Sequence, residues 1–403
     1  MALLSLAFIY WWSQSNLITV LSTFLSRNGL EEIAVGGILG LQTILPIFLS
    51  IPFGFIGDRV GHKKMITFGS VGMFLGAGLC YLTSQTLWLI VPAQLISGVA
   101  QMTVWISAQA LILEIGTSCP DRKIAQFSTL TALGQAAGPL MAGFLVDFYG
   151  YSFDFFANAL MSLIMLGCAM LLSSKRSAEK NGAAPGHSLR QELRSILVNS
   201  YWQGIELARK RDVFYTLVFT FLLAFTLNQR TSFYPIYLHE SGWGVSMIGI
   251  LISIGSISAI LVRFICPLLL ARMSAWTLMQ VCNVVSIAGM FLTPLFDSFY
   301  VLAVVSCFTG LALGLNQPLS LQLIYQFTDS QQYGLSIGIR MICNRLAQFV
   351  NPLSFALFSH VVGMGIAFYL TGALLISVLL FANHRLSIRP IANIKPKRGI
   401  FHG

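Results

Sequence analysis

The chain has 403 residues, of which 56% are hydrophobic and only 9% are Asp, Glu, Lys or Arg. A soluble domain carries about 25% charged residues, so an ordinary water-soluble class is excluded. The net charge of +10 comes without any RNA- or DNA-binding motif, so it reports membrane orientation and implies no nucleic-acid partner.

Apolar runs of 18 or more residues recur along the whole length, and each is long enough to cross a bilayer as a helix. In chain order the expected spans are 2–25, 33–56, 65–83, 87–113, 126–147, 153–172, 213–237, 246–270, 277–296, 299–324, 334–361 and 364–383. The runs are continuously apolar rather than alternating, which excludes a β-barrel. The first span begins at Met1 without a basic lead-in and without a small-residue cleavage site after it. It reads as a retained helix with a trimmed start, not as a signal peptide.

Span one carries Trp11, Trp12, Ser13, Gln14, Ser15 and Asn16, and span seven carries Asn228, Gln229 and Arg230. Unsatisfied polar groups in lipid cost several kcal/mol each, so both patches are expected to face a central cavity. Between spans two and three lies Gly54-Phe-Ile-Gly-Asp58-Arg59-Val-Gly61-His-Lys63-Lys64, a short charged hairpin between two spans. Such a hairpin is expected to gate, with Asp58 near a helix N-terminus of the opposite half, where a carboxylate gains about 0.3–1 kcal/mol. Span five holds Gly134-Gln-Ala-Ala-Gly138-Pro139-Leu-Met-Ala-Gly143, small residues that let helices approach closely and a proline that bends the span.

The chain repeats once. Arg59, Gln135 and Pro139 recur as Arg272, Gln348 and Pro352, all at an offset of 213 residues. The repeat implies an all-α membrane protein with twelve transmembrane helices in two pseudo-symmetric six-helix bundles. The expected domains are an N-terminal bundle at 1–172, a cytoplasmic linker at 173–212, a C-terminal bundle at 213–383 and a basic tail at 384–403. Residues 188–210 of the linker read as a basic amphipathic helix on the membrane surface. In the second half the loop motif has decayed: Pro267, Ala271 and Ser274 stand where Gly54, Asp58 and Gly61 stand in the first.

Nineteen of the 24 Lys and Arg residues fall on one side if both termini are cytoplasmic, and only Arg27 falls on the other. This is a strong positive-inside signal for a multi-pass protein of a cell's inner membrane. The seven cysteines form no C-x-x-C pair and read as small packing residues, with no metal site.

The remaining four cations lie within spans: Arg230, Arg263, Arg340 and Arg345. A charge at mid-bilayer costs about 2.5–3.5 kcal/mol on insertion scales, and no acid is read at comparable depth. An anionic cargo is a natural neutraliser, because the guanidinium fork binds both oxygens of a carboxylate or phosphate. Arg340, Asn344 and Gln348 share one face of span eleven. For Arg263 and Arg340, capping backbone carbonyls or snorkelling is an equally good reading. With Gln14, Asn16, Asn228, Gln94 and Gln317, the four arginines and Asn344 make the expected substrate-binding set. The expected gating set is Gly54, Asp58, Arg59, Gly61, Arg122, Gly138 and Pro139.

The Gly54–Lys64 loop resembles the G-x-x-x-D-R-x-G-R/H-K/R signature between the second and third helices of the major facilitator superfamily. Residues 134–143 are similar to the fifth-helix signature of that family, with Ala142 replacing a glycine. The resemblance implies a secondary transporter that works by alternating access as two halves rock, and the fifth-helix signature tilts the expectation toward export by antiport. Gln94, four residues before Gly98, stands where the family often has arginine, which puts the common proton-coupling arrangement in doubt. The 310–352 stretch looks like family members that export small metabolites or siderophores. The expected cargo is a small organic anion, such as a carboxylate siderophore or metabolite, with protons as a coupling candidate and a monomer as the working unit. The alternatives are uptake of such an anion, multidrug efflux, and a non-transporting membrane sensor.

Gly334-Leu-Ser336-Ile-Gly338 matches G-x-S-x-G, but it opens a membrane helix instead of following a strand, so no hydrolase is read from it. No Walker loop, H-E-x-x-H or Rossmann fingerprint occurs, and the chain is expected to be neither an enzyme nor a cofactor binder.

Overall fold

The structure is a computed structural model that describes residues 2–83, 86–115, 120–172, 202–328 and 333–388. The 188–201 part of the expected surface helix and the tail beyond 388 lie outside these residues.

Six helices form the first half: α1 (Ala2–Arg27), α2 (Glu32–Val60), α3 (His62–Leu82), α4 (Ile90–Ile115), α5 (Pro120–Tyr149) and α6 (Tyr151–Met170). The second half has α7 (Arg211–Glu240), α8 (Val245–Arg272), α9 (Ala275–Leu292), a tenth span broken into α10a (Phe299–Gly314) and α10b (Asn316–Phe327), α11 (Tyr333–Val362) and α12 (Met364–Ile388). Ten helical stretches among the described residues are long and apolar enough to cross a membrane. The other two spans are α1 and α11, which carry the polar run and Arg340 with Arg345. Their hydropathy is low because they line the interior.

Helix ends follow local chemistry. The sequence predicts a charged hairpin between a span that ends at 56 and one that starts at 65, but α2 runs on through Val60 and the turn is Gly61 alone. Gly61 has φ 98° and its N–H returns to the Gly57 carbonyl at 2.9 Å. Only glycine adopts that backbone cheaply, so one residue suffices to stop α2 and start α3. In the second half Ser274 does the matching work differently, capping α9 by accepting from the Thr277 N–H at 3.1 Å.

The packing repeats with the sequence. Helix pairs α1–α5, α2–α4, α3–α4 and α3–α6 of the first half recur as α7–α11, α8–α10a, α9–α10a and α9–α12. The halves meet through α5–α8, α2–α11 and α1–α7. We call the end where α1 begins proximal and the opposite end distal. One apolar core runs across both halves and takes its first-half members from the distal end, including Leu21, Leu25, Val146 and Phe155. At the proximal end the cores are separate, one around Leu6, Ile66 and Val104 and the other around Leu207, Leu217 and Ile324. Leu207 belongs to a short helix at 202–209 that docks on α7 with Trp202 and Ile205 exposed.

Candidate functional site

The seam between the halves is built from glycine and proline. Gly36 of α2 sits so close to α11 that an added Cβ would overlap the Pro352 carbonyl and lie 2.5 Å from Ala356 Cβ. Gly249 of α8 rests in the same way on the Pro139 carbonyl of α5, and Gly143 would meet Val245 O at 2.6 Å. Gly138 faces inward instead: a side chain there would strike Ser15, Trp12 and Asn16 of α1. The two halves of the fifth-helix signature therefore do different jobs, Gly134 and Gly138 packing α1 and Pro139 with Gly143 packing the opposite bundle.

Polar contacts finish the distal closure. Ser26 donates to Glu240 Oε1 at 3.1 Å, and Glu32 and His360 approach to 3.8 Å. Asp147, at the end of α5, accepts from the backbone N–H groups of Val245 (3.2 Å) and Ser246 (2.8 Å) and from the Ser246 hydroxyl. Val245 is the first residue of α8, so a carboxylate of one half caps a helix of the other. This is the device expected of Asp58, found at the opposite end of the molecule. The side chains of Gly54, Asp58, Arg59 and Arg122 lie outside the described residues, and their gating role stays a proposal.

At mid-depth the halves face each other across an aromatic wall. Tyr10 stacks on Trp105 with centroids 5.3 Å apart and planes at 11°, and Trp105 stacks on Phe127 at 5.7 Å and 19°. Trp11 meets both Tyr10 and Trp105 edge-on. The Tyr10 hydroxyl donates to the Gln101 carbonyl at 3.3 Å. Across from the wall, Arg345 of α11 lies within electrostatic reach of Tyr10 and donates to Gln348 Oε1 at 2.8 Å. No carboxylate pairs with Arg345 among the described residues. Gln14, one helical turn from Tyr10, and Asn344, beside Arg345, each leave a buried amide oxygen without a partner, as does the Trp11 Nε1.

The other predicted site residues are elsewhere. Arg230 is 9% exposed and turns away from the cavity into the second half, donating to Ile252 O at 3.0 Å and Leu251 O at 3.4 Å. Arg263 donates to Gly314 O at 3.3 Å. That carbonyl is freed by the break between α10a and α10b, so Arg263 caps a helix end. Arg340 is buried and reaches Ser320 of α10b at 3.4 Å. Asn228 bonds back to Ala224 O in its own helix at 2.7 Å. Gln317 is exposed in the first turn of α10b, and Gln94 is buried in α4 with its Oε1 unpartnered.

Consecutive polar residues were expected to share one cavity face, but successive helical positions point about 100° apart, so the patch fans out. Ser13 and Asn16 turn to α6, Ser15 to α5, and Gln14 shares a face with Tyr10. Asn16 donates to Asp154 Oδ1 at 2.9 Å and accepts from Asn158 at 2.9 Å, while Ser13 donates to Asn158 at 2.6 Å. Asp154 is fully buried, which corrects the expectation that no acid lies deep. It sits in the first turn of α6, but α1 extends past the start of α6 and covers it. Its only signal in the sequence was an apolar setting, Tyr151-Ser-Phe-Asp154-Phe-Phe.

The family model described as Major Facilitator Superfamily matches residues 3–296. "Multidrug resistance protein 2" of Bacillus subtilis (strain 168) is 21% identical over 353 residues, 87% of this chain and 86% of that protein. "Tetracycline resistance protein, class B" of Escherichia coli is 27% identical over 154 residues, 36% of each chain. Among solved structures, the nucleoside transporter NupG aligns with TM-score 0.75 at 15% identity, covering 95% of this chain and 98% of that one. A POT family transporter in complex with a thioalcohol conjugated peptide aligns with TM-score 0.76 at 14% identity, covering 96% and 95%. Two repeated bundles, a glycine-lined seam and a polar point at mid-depth thus accompany a family match over most of the length, and the chain belongs to the Major Facilitator Superfamily.

Proposed function

We propose that this transporter exports a small organic anion by alternating access, with Arg345 as the anchor of the anionic group and the Tyr10–Trp105 wall as the seat of its apolar part. The observation that carries the reading is Arg345 itself, a guanidinium at mid-depth between the halves, with a neutral amide and a phenol as its recorded neighbours. A cation there without a carboxylate is costly to keep, and an arriving anion supplies what it lacks through a charge-assisted hydrogen bond. Asn344 and Gln14 add amides for orientation.

The positive-inside bias assigns the proximal end to the cytoplasm, with both termini there and the distal end facing out. In this reading the structure represents the state closed to the outside, from which an exporter loads. Export is further supported by the names of relatives such as the two resistance proteins described above. Protons remain the coupling candidate, and the monomer the working unit. Broad efflux without charge preference is the second reading, favoured by those same names and by the aromatic wall.

The test is accumulation of labelled aromatic carboxylates in everted vesicles. Wild type is expected to accumulate them, and Arg345→Gln to lose about 10- to 100-fold in apparent affinity, the loss of one hydrogen bond to a charged group. Equal transport of carboxylates by the two proteins would select the second reading.

A further inference from the structure

The second half holds a cation that the transport cavity does not use. Arg230 lies flat against Gly255 of α8, so closely that any side chain at 255 would occupy the place of the guanidinium. Around it the distal part of the second half leaves a small cavity of about 20 Å³, lined by Gln229, Tyr234, Thr293, Ser306, Thr309 and Phe368, among others. Tyr234 and Ser306 hydrogen-bond each other, and the Thr309 hydroxyl donates to Val305 O at 2.7 Å. Arg230 Nη2 is held by two α8 carbonyls, but Arg230 Nε has no partner, and neither has Gln229 Nε2. Both residues are more than nine-tenths buried, and the lining contains no carboxylate.

A buried guanidinium keeps its charge, and an uncompensated charge in a low-dielectric interior is costly. Carbonyl dipoles offset part of that. The unmet need is an acceptor bearing a negative charge, presented to two free N–H donors and flanking hydroxyls. We propose that this cavity binds a small monovalent inorganic anion of halide size, as a resident counter-ion of Arg230 that ties α7 to α8 and α10a.

Size and position both favour a resident ion over cargo. At about 20 Å³ the cavity admits little more than one water-sized sphere, far less than the 300–1,000 Å³ of organic-ligand sites. Gly289 backs directly onto Thr309, where a Cβ would overlap the Thr309 hydroxyl, and Phe368 closes another side. The cavity also lies within one bundle, so rocking of one half against the other does not open it. The proposal is independent of which cargo Arg345 takes.

The test uses the purified full-length transporter in detergent. Thermal unfolding is followed while sodium gluconate is replaced by sodium chloride or bromide at constant ionic strength, and crystals grown in bromide are examined for anomalous scattering. The expected result is a saturable rise in Tm of several degrees with halide, by mass action on the folded state. A bromide peak beside Arg230 should accompany it. Arg230→Gln should abolish the halide-dependent rise, and Ser306→Ala should move its midpoint to higher halide. If Arg230→Gln fails to fold, Ser306→Ala and the wild-type bromide peak decide. The proposal is overturned if wild-type Tm is the same in gluconate and halide, if the rise persists unchanged in both variants, or if bromide is found at Arg345 and not at Arg230.

Discussion

Of the four arginines within spans, the sequence favoured Arg345 and Arg230 for binding and left Arg263 and Arg340 open to a capping role, and their surroundings divide them differently. Arg263 caps a broken helix, Arg340 links α11 to α10b, Arg230 sits inside the second half, and Arg345 alone of the four is placed opposite the aromatic wall. Their depth was legible; which side of the helix each side chain took was not, because that depends on neighbours far away in sequence, such as Gly255 making room for Arg230. The same limit hid Asp154, whose hydrogen-bond partner Asn16 lies 138 residues away from it. Replacing Asn16 by Leu would strip the buried Asp154 of its recorded hydrogen bond. We expect a loss of about 1–3 kcal/mol, measured as a lower Tm in detergent, with Asn16→Leu/Asp154→Leu recovering much of it.

Among the elements, α5 and α2 carry the largest contacts between the halves, the seam that the proposed mechanism must part. Gly134, Gly138 and Gly143 were expected to let helices approach closely, and each does, but their division between α1 and α8 needed the fold. The hairpin after α2 was read as too long, because a single Gly61 at φ 98° replaces a loop. Gly61→Val should be destabilising by about 1–3 kcal/mol, the range for strained backbone, visible as reduced Tm and yield. At the seam, Gly249→Leu would drive a side chain into the Pro139 carbonyl and hold the distal end open. A Ser26→Cys reporter should then react faster with a membrane-impermeant maleimide than it does in the Gly249 parent. Asp147→Asn weakens the same closure more gently. Loss of about 0.3–1 kcal/mol at the α8 N-terminus predicts a two- to fivefold shift in the reactivity of that reporter, and no shift would mean the cap does not bear on the gate.

On the scale of the whole molecule, twelve spans and the 213-residue repeat were legible because lipid imposes long apolar runs and duplicated bundles conserve their register. The repeated helix pairing bears this out, and the family match agrees with it. What the sequence could not supply is the conformation. The apolar core is continuous across the halves at the distal end and divided at the proximal end, and no local pattern encodes a relation between surfaces that must part and rejoin. Two-state behaviour requires that the distal contacts be modest: a hydroxyl–carboxylate bond, a histidine–carboxylate approach and a helix cap can be exchanged for their counterparts at the other end.

The claim that Arg345 reads the charge of the cargo is tested most directly by paired substrates that share one aromatic ring, one bearing a carboxylate and the other the neutral amide. Their transport is compared in proteoliposomes carrying wild type or Arg345→Gln. The account predicts that wild type prefers the carboxylate by about tenfold or more, and that Arg345→Gln loses this preference while still moving the amide. A carboxylate preference that survives unchanged in Arg345→Gln would contradict it.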